Sequence, residues 1–160
     1  MKTLAQKREK FLSATTGQTK KIGQRLAKEI LKTKPGKKAV VICLKGELGS
    51  GKTTFIQGLA TGFEIKEKIL SPTFVVLRRY LLPQAKSSGI SFKSFFHLDC
   101  YRLEKLREAL ALNFKEIINN GENILAIEWS EKIKPFLSQP VIRVDLKFIS
   151  EKKRRITIKN

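Results

Sequence analysis

Apolar positions change their spacing several times along the chain, and each change marks an element. From Thr19 onward Ile22, Leu26, Ala27, Ile30 and Leu31 recur at helical spacing, with Lys20, Lys21, Arg25, Lys28 and Lys32 opposite them. This predicts an amphipathic helix that Lys34-Pro35-Gly36 brings to an end. Residues 39–44 form an unbroken apolar run, typical of a strand buried on both faces. A Gly-rich loop follows, then a second helix from about Lys52 to Thr61 with Phe55, Ile56 and Leu59 inward. Residues 73–82 are strand-like and residues 83–89 a Pro/Ser/Gly loop. The pattern continues with a strand at 92–98, one or two short helices within 103–118, a turn at Asn119-Asn120-Gly121 and a buried strand at 124–129. Residues 141–148 and 155–159 alternate apolar and polar and are expected to pair as a hairpin. Residues 1–17 show only weak periodicity and are expected to fray, leaving 18–160 as a single domain. Early strand–helix–strand alternation and a late hairpin predict an α/β domain with a mixed, mostly parallel sheet.

Composition adds little to that picture, apart from charge. With 160 residues, 41% hydrophobic and 29% charged, the chain is long enough for one core and too apolar for disorder. No apolar run approaches the length of a bilayer span and no signal-peptide core follows Met1, so a cytoplasmic protein is expected. Cys43 and Cys100 lie in apolar segments and are expected to be reduced core residues. The net charge of +19 is concentrated at the ends. Residues 1–38 carry 12 basic and 2 acidic side chains, and residues 151–160 carry 5 and 1. Such ends suit nucleic acid or another polyanion, or else a solvated Lys-rich surface.

The strongest local signal is Gly46-Glu47-Leu48-Gly49-Ser50-Gly51-Lys52-Thr53, which fits the phosphate-loop pattern at every position. It follows a buried strand and opens a helix, as the mechanism requires. The glycines let successive backbone N–H groups point at phosphate oxygens, and the helix adds its positive end. Lys52 would supply charge to the β- and γ-phosphates, and the Thr53 hydroxyl is placed to ligate Mg²⁺. The cofactor-binding run is therefore expected to be Gly49, Ser50, Gly51, Lys52, Thr53 and Thr54, within a P-loop NTPase-like three-layer fold.

Magnesium and a γ-phosphate need further groups beyond the carboxyl ends of neighbouring strands. Asp99 and Glu128 each end a predicted strand and could ligate the metal, directly or through water, or orient an attacking water. His97 shares a face with Asp99 and is expected to touch the nucleotide or support Asp99. Ser71-Pro72-Thr73 occupies the place of a switch segment, where the Thr73 hydroxyl could sense the γ-phosphate or metal. Trp129 is expected to pack in the core.

Four phrases now stand in order: GELGSGKTT at 46–54, SPTF at 71–74, HLDCYRL at 97–103 and IEWSE at 127–131. Together they resemble the TsaE family, small bacterial P-loop ATPases of tRNA threonylcarbamoyladenosine biosynthesis. Thr19–Ile30 is similar to the family's leading helix, and the closing basic strands to its C-terminal hairpin. The resemblance implies an ATPase that joins the TsaB–TsaD pair. It would reset that complex between rounds without itself transferring the threonylcarbamoyl group. By motif position it implies catalytic roles for Lys52, Thr73, Asp99 and Glu128, with Thr53, Asp99 and Glu128 toward magnesium. Tyr101 and Arg102 would build the site wall or the partner surface. The choice of ATP over GTP rests on the resemblance alone.

Two other readings remain open from the residues. A small-molecule P-loop kinase shares the strand, loop and helix but calls for an Arg-bearing lid, and residues 83–93 contain no Arg. A basic tRNA-binding module with a structural nucleotide would explain the charged ends, although these lack interleaved aromatic residues for base stacking.

Overall fold

The computed structural model describes residues 7–70, 77–83, 89, 91–102 and 113–160. Its elements run β1 (Arg8–Ser13), α1 (Thr16–Leu31), β2 (Val40–Lys45), α2 (Lys52–Gly62), β3 (Leu77–Leu81) and β4 (Ser94–Asp99). They continue with α3 (Phe114–Ile118), β5 (Asn123–Glu128), β6 (Ile142–Phe148) and β7 (Arg154–Lys159). Single 3-10 turns at Ser130–Lys132 and Lys134–Phe136 link β5 to β6. Among the described residues the strands form one sheet in the order β1-β7-β6-β2-β5-β4-β3. Its centre, β6-β2-β5-β4, is parallel, and both flanks are antiparallel.

The hydrophobic pattern explains this order. The apolar runs of β2 and β5 have nothing polar to present to water, so both lie mid-sheet with covered faces. In β6 the apolar Ile142, Val144 and Leu146 are buried while Arg143 and Lys147 are exposed, which is the signature of a strand covered on one side. One core lies between the sheet and α1/α2, with Phe63 and Phe95 rings 5.1 Å apart at its heart. A second core covers the opposite face of β2, β5 and β4 with Phe114, Ile117, Ile118 and Ile133. The result is the expected three-layer α/β fold with a mixed sheet, and the β6–β7 hairpin forms as the alternation predicts. Both cysteines are free and buried, and burial pushes the Cys100 thiol up to about 12. No described helix is long and apolar enough to cross a membrane.

The N-terminal segment departs from expectation. Arg8–Ser13 is a strand, paired antiparallel with β7 along its whole length. Helix α1 also begins earlier than Thr19: Thr15 caps it by accepting the Gln18 N–H at 3.1 Å, and Gln18 accepts the Ala14 N–H. Strand and helix are joined by Arg25, whose guanidinium reaches Glu9 at 2.7 Å.

Helices α1 and α2 approach so closely that Gly58 of α2 faces the Lys20 backbone of α1, where a Cβ would collide with the Lys20 carbonyl. Alanine there improves helix propensity by about 0.5–1 kcal/mol, but the overpacking costs about 1–3 kcal/mol. Gly58→Ala should therefore lower the thermal midpoint by about 2–8 °C. An unchanged or higher midpoint would mean that the two helices can slide apart freely.

Candidate active site

The loop between β2 and α2 owes its path to two glycines with positive φ, Gly49 at 75° and Gly51 at 98°. Gly51 is the N-cap of α2; no side chain caps that end and no acidic residue lies in its first turn. The positive end of the helix is thus open to an anion. Ser50 is fully buried, and its hydroxyl has no hydrogen-bond partner among the described residues. Lys52 is only 5% exposed, and its ammonium donates to the Gly46 carbonyl at 2.7 Å and the Glu47 carbonyl at 2.9 Å. Burial lowers its pKa, while the charges of Glu128, Glu131 and Asp99 act in the opposite direction.

Asp99 and Glu128 come together because β4 and β5 are neighbouring parallel strands in which these residues are register partners. Glu128 also pairs in register with Leu44, just before the loop. The Thr53 hydroxyl donates to the Glu128 carboxylate, at 3.1 and 3.3 Å from its two oxygens. On the other side His97 Nε2 lies 2.9 Å from Glu128 Oε1. A ring nitrogen facing a carboxylate carries the proton, so Nε2–H is the donor. His97 therefore supports Glu128 rather than Asp99, since β-sheet register brings the carboxylate of the adjacent strand within its reach. Both side chains are almost wholly shielded from water.

Asp99 Oδ1 accepts the Tyr101 N–H at 2.9 Å. Its pKa is raised, first by burial and then by Glu128, against the lowering effects of the Tyr101 N–H, His97 and Lys52. A raised carboxyl pKa means that the fold penalises the ionised form, so stability is lost as pH climbs through the folded-state value. Asp99→Asn should accordingly melt higher than the parent near neutral pH in metal-free buffer. The gap should close in acid, below the carboxylate range, and a gap that persists there would remove the electrostatic explanation.

Thr73, with Ser71, lies outside the described residues. Trp129 packs, partly buried, at the margin of the second core, and it also borders the site. It follows β5 in a left-handed conformation, φ 56°, which brings its ring 4.2 Å from the Lys52 ammonium and 5.1 Å from the Tyr101 ring. The turn after β5 overrides strand alternation, and Trp129 and Tyr101 form a wall beside the lysine.

Beside the loop is a cleft of about 350 Å³ lined by Thr15, Thr16, Gly49, Thr54, Lys152 and Arg154, among others. Thr53 and Thr54 thus serve opposite neighbours, the first facing Glu128 and the second facing the cleft. The Arg154 guanidinium packs over the Phe148 ring at 4.6 Å and donates to the Ser150 carbonyl at 2.7 Å and the Gly49 carbonyl at 3.3 Å. It ties the β6–β7 hairpin to the phosphate loop. Sequence reasoning missed this residue, and the only signal was an undifferentiated basic run.

A family model described as threonylcarbamoyl adenosine biosynthesis protein TsaE matches residues 13–156. The chain belongs to the TsaE family. Relatives named tRNA threonylcarbamoyladenosine biosynthesis protein TsaE include one from Rickettsia typhi, 38% identical over 120 residues, covering 74% of this chain and 76% of the relative. One from Rickettsia felis is 37% identical over 142 residues, covering 88% and 74%. One from a Nostoc species is 40% identical over 121 residues, covering 74% and 68%. A crystal structure of Bacillus subtilis YdiB superposes with a TM-score of 0.66 at 26% identity, over 98% of this chain and 87% of that one. The TsaE match spans the phosphate loop, Asp99 and Glu128, and the hairpin through Arg154.

Proposed function

We propose that this TsaE-family protein binds and hydrolyses Mg²⁺-ATP, and that it serves the TsaB–TsaD pair in forming threonylcarbamoyladenosine in tRNA. The observation that carries the reading is the line His97–Glu128–Thr53 at the foot of the phosphate loop, with Lys52 beside it. The partnerless Ser50 hydroxyl and the uncapped start of α2 fit a phosphate chain. The hydroxyl of Thr53 and the carboxylates of Asp99 and Glu128 are oxygen donors, which suits magnesium. Bound magnesium would neutralise phosphate charge there.

The chain's own residues divide the remaining work. Lys52 leaves the Gly46 and Glu47 carbonyls for phosphate oxygens, Glu128 is held in orientation by His97, and Asp99 lies alongside to position water. The cleft beside Thr54 and Arg154 accommodates the nucleoside. Trp129 and Tyr101 screen the lysine from solvent on the other side.

Hydrolysis should be measured with magnesium, with and without a TsaB–TsaD pair, using Lys52→Ala as the blank. Slow turnover that rises with the pair supports the reading, and turnover indifferent to the pair refutes the partnership. Trp129, the only tryptophan, supplies an independent signal. Its emission should change when ATP draws the ammonium off its ring, and Lys52→Ala should show no such change.

A further inference from the structure

The antiparallel flank of the sheet has two unlike faces. Toward α1 it presents Phe11, Val144, Leu146, Ile156 and Ile158. The opposite face is set by register. Arg8, Lys159 and Arg143 form one row across β1, β7 and β6. Lys10, Thr157 and Asp145 form the next, extended to Lys45 at the end of β2. Leu12, Arg155 and Lys147 form the third. Cys43 pairs in register with Arg143, so this is the same side of the sheet as the second core. That core stops at β2, however, and on this side no described helix packs over β6, β7 and β1.

We infer that this sheet face is a docking surface for the phosphodiester backbone of a structured RNA. Among the described residues seven cations share it with a single acid, Asp145, which lies 3.7 Å from Lys159. Like charges packed on one face repel one another and oppose folding, so the fold itself gains nothing from the arrangement. Strands about 4.8 Å apart and alternate residues about 6.7 Å apart make a two-dimensional lattice of positive side chains. Such a lattice follows a ribbon of phosphates and does not select one ionic contact.

The composition of the face separates RNA from other polyanions. Among the described residues it has no aromatic side chain, and its only large apolar one is Leu12 at the edge strand. A protein partner would need apolar or aromatic anchors, and an anionic membrane would need an inserting apolar edge. Backbone contact needs neither. The face gathers part of the terminal charge, because β1 and β7 bring Arg8 and Lys10 beside Arg155 and Lys159.

The test compares two triple reversals of identical net charge in the full chain. One, Lys10→Glu/Arg143→Glu/Arg155→Glu, alters the face. The other, Lys21→Glu/Lys28→Glu/Lys32→Glu, alters the exposed side of α1. The probe is a fluorescent tRNA transcript titrated at several salt concentrations, with circular dichroism and ATP binding confirming that both variants are folded. The face variant should bind at least about tenfold more weakly at about 150 mM salt, with a salt slope shallower by about 2–3, while the α1 variant stays within about twofold of the parent. Asp145→Asn, which removes the single acid, should tighten binding. Equal losses in the two triple variants would reduce the effect to net charge and overturn the assignment. So would absence of RNA binding by the parent, or stronger retention on phosphatidylserine vesicles or poly-glutamate than on RNA.

Discussion

Lys52→Ala should weaken ATP binding by about 30- to 1,000-fold, the loss of roughly 2–4 kcal/mol expected when a buried charged donor is removed from its partner. The magnitude follows from the surroundings of the ammonium. It is almost completely buried, faces two loop carbonyls and the Trp129 ring, and is surrounded by the charges of Glu128, Glu131 and Asp99. A charge in such a place interacts strongly with a phosphate because water does little to screen it. The truncation also leaves the Gly46 and Glu47 carbonyls without the donor they now share. Lys52→Arg should recover little, since a planar fork is a poor replacement for a compact ammonium in a closed loop. Calorimetric titration with ATP and with ADP would check this, and parental affinity in the alanine variant would place the nucleotide elsewhere.

The second large effect should appear in turnover rather than affinity. Glu128→Gln preserves the volume and can still accept the Thr53 hydroxyl and the His97 N–H, but removes the negative charge between them. We expect ATP binding within a few-fold of the parent and hydrolysis lower by about 100- to 1,000-fold, typical for loss of a group that acts in the transition state. Asp99→Asn should follow the same pattern. Single-turnover measurements separate the two steps, and two acidic variants hydrolysing at the parental rate would dismantle the site assignment. His97→Gln offers a milder version, because it keeps a donor toward Glu128.

The loop, its helix and the two strand-end carboxylates were legible in the sequence because each is a local pattern. Gly46–Thr53 has a fixed spacing, and Asp99 and Glu128 end apolar runs whose burial follows from composition. The hairpin was legible for the same reason. Strand β1 was not. Its inward positions are Glu9, Phe11 and Ser13, so only one of three is apolar and no period-two signal exists. The ladder with β7 and the Arg25–Glu9 pair make it a strand. Trp129 packs against the second core as its residue type suggests, but its place beside Lys52 depends on a left-handed turn that strand alternation does not show.

The sequence by itself determined the three-layer α/β fold, the phosphate loop and the candidates Lys52, Thr53, Asp99 and Glu128. These depend on residue type and spacing along one stretch of backbone. Tertiary structure alone decided which groups meet across stretches: His97 with Glu128, Arg154 with Gly49, and the terminal strands joined into one basic face. Those encounters depend on strand order and register, which arise from the whole set of hydrogen-bonded ladders and are written in no single segment.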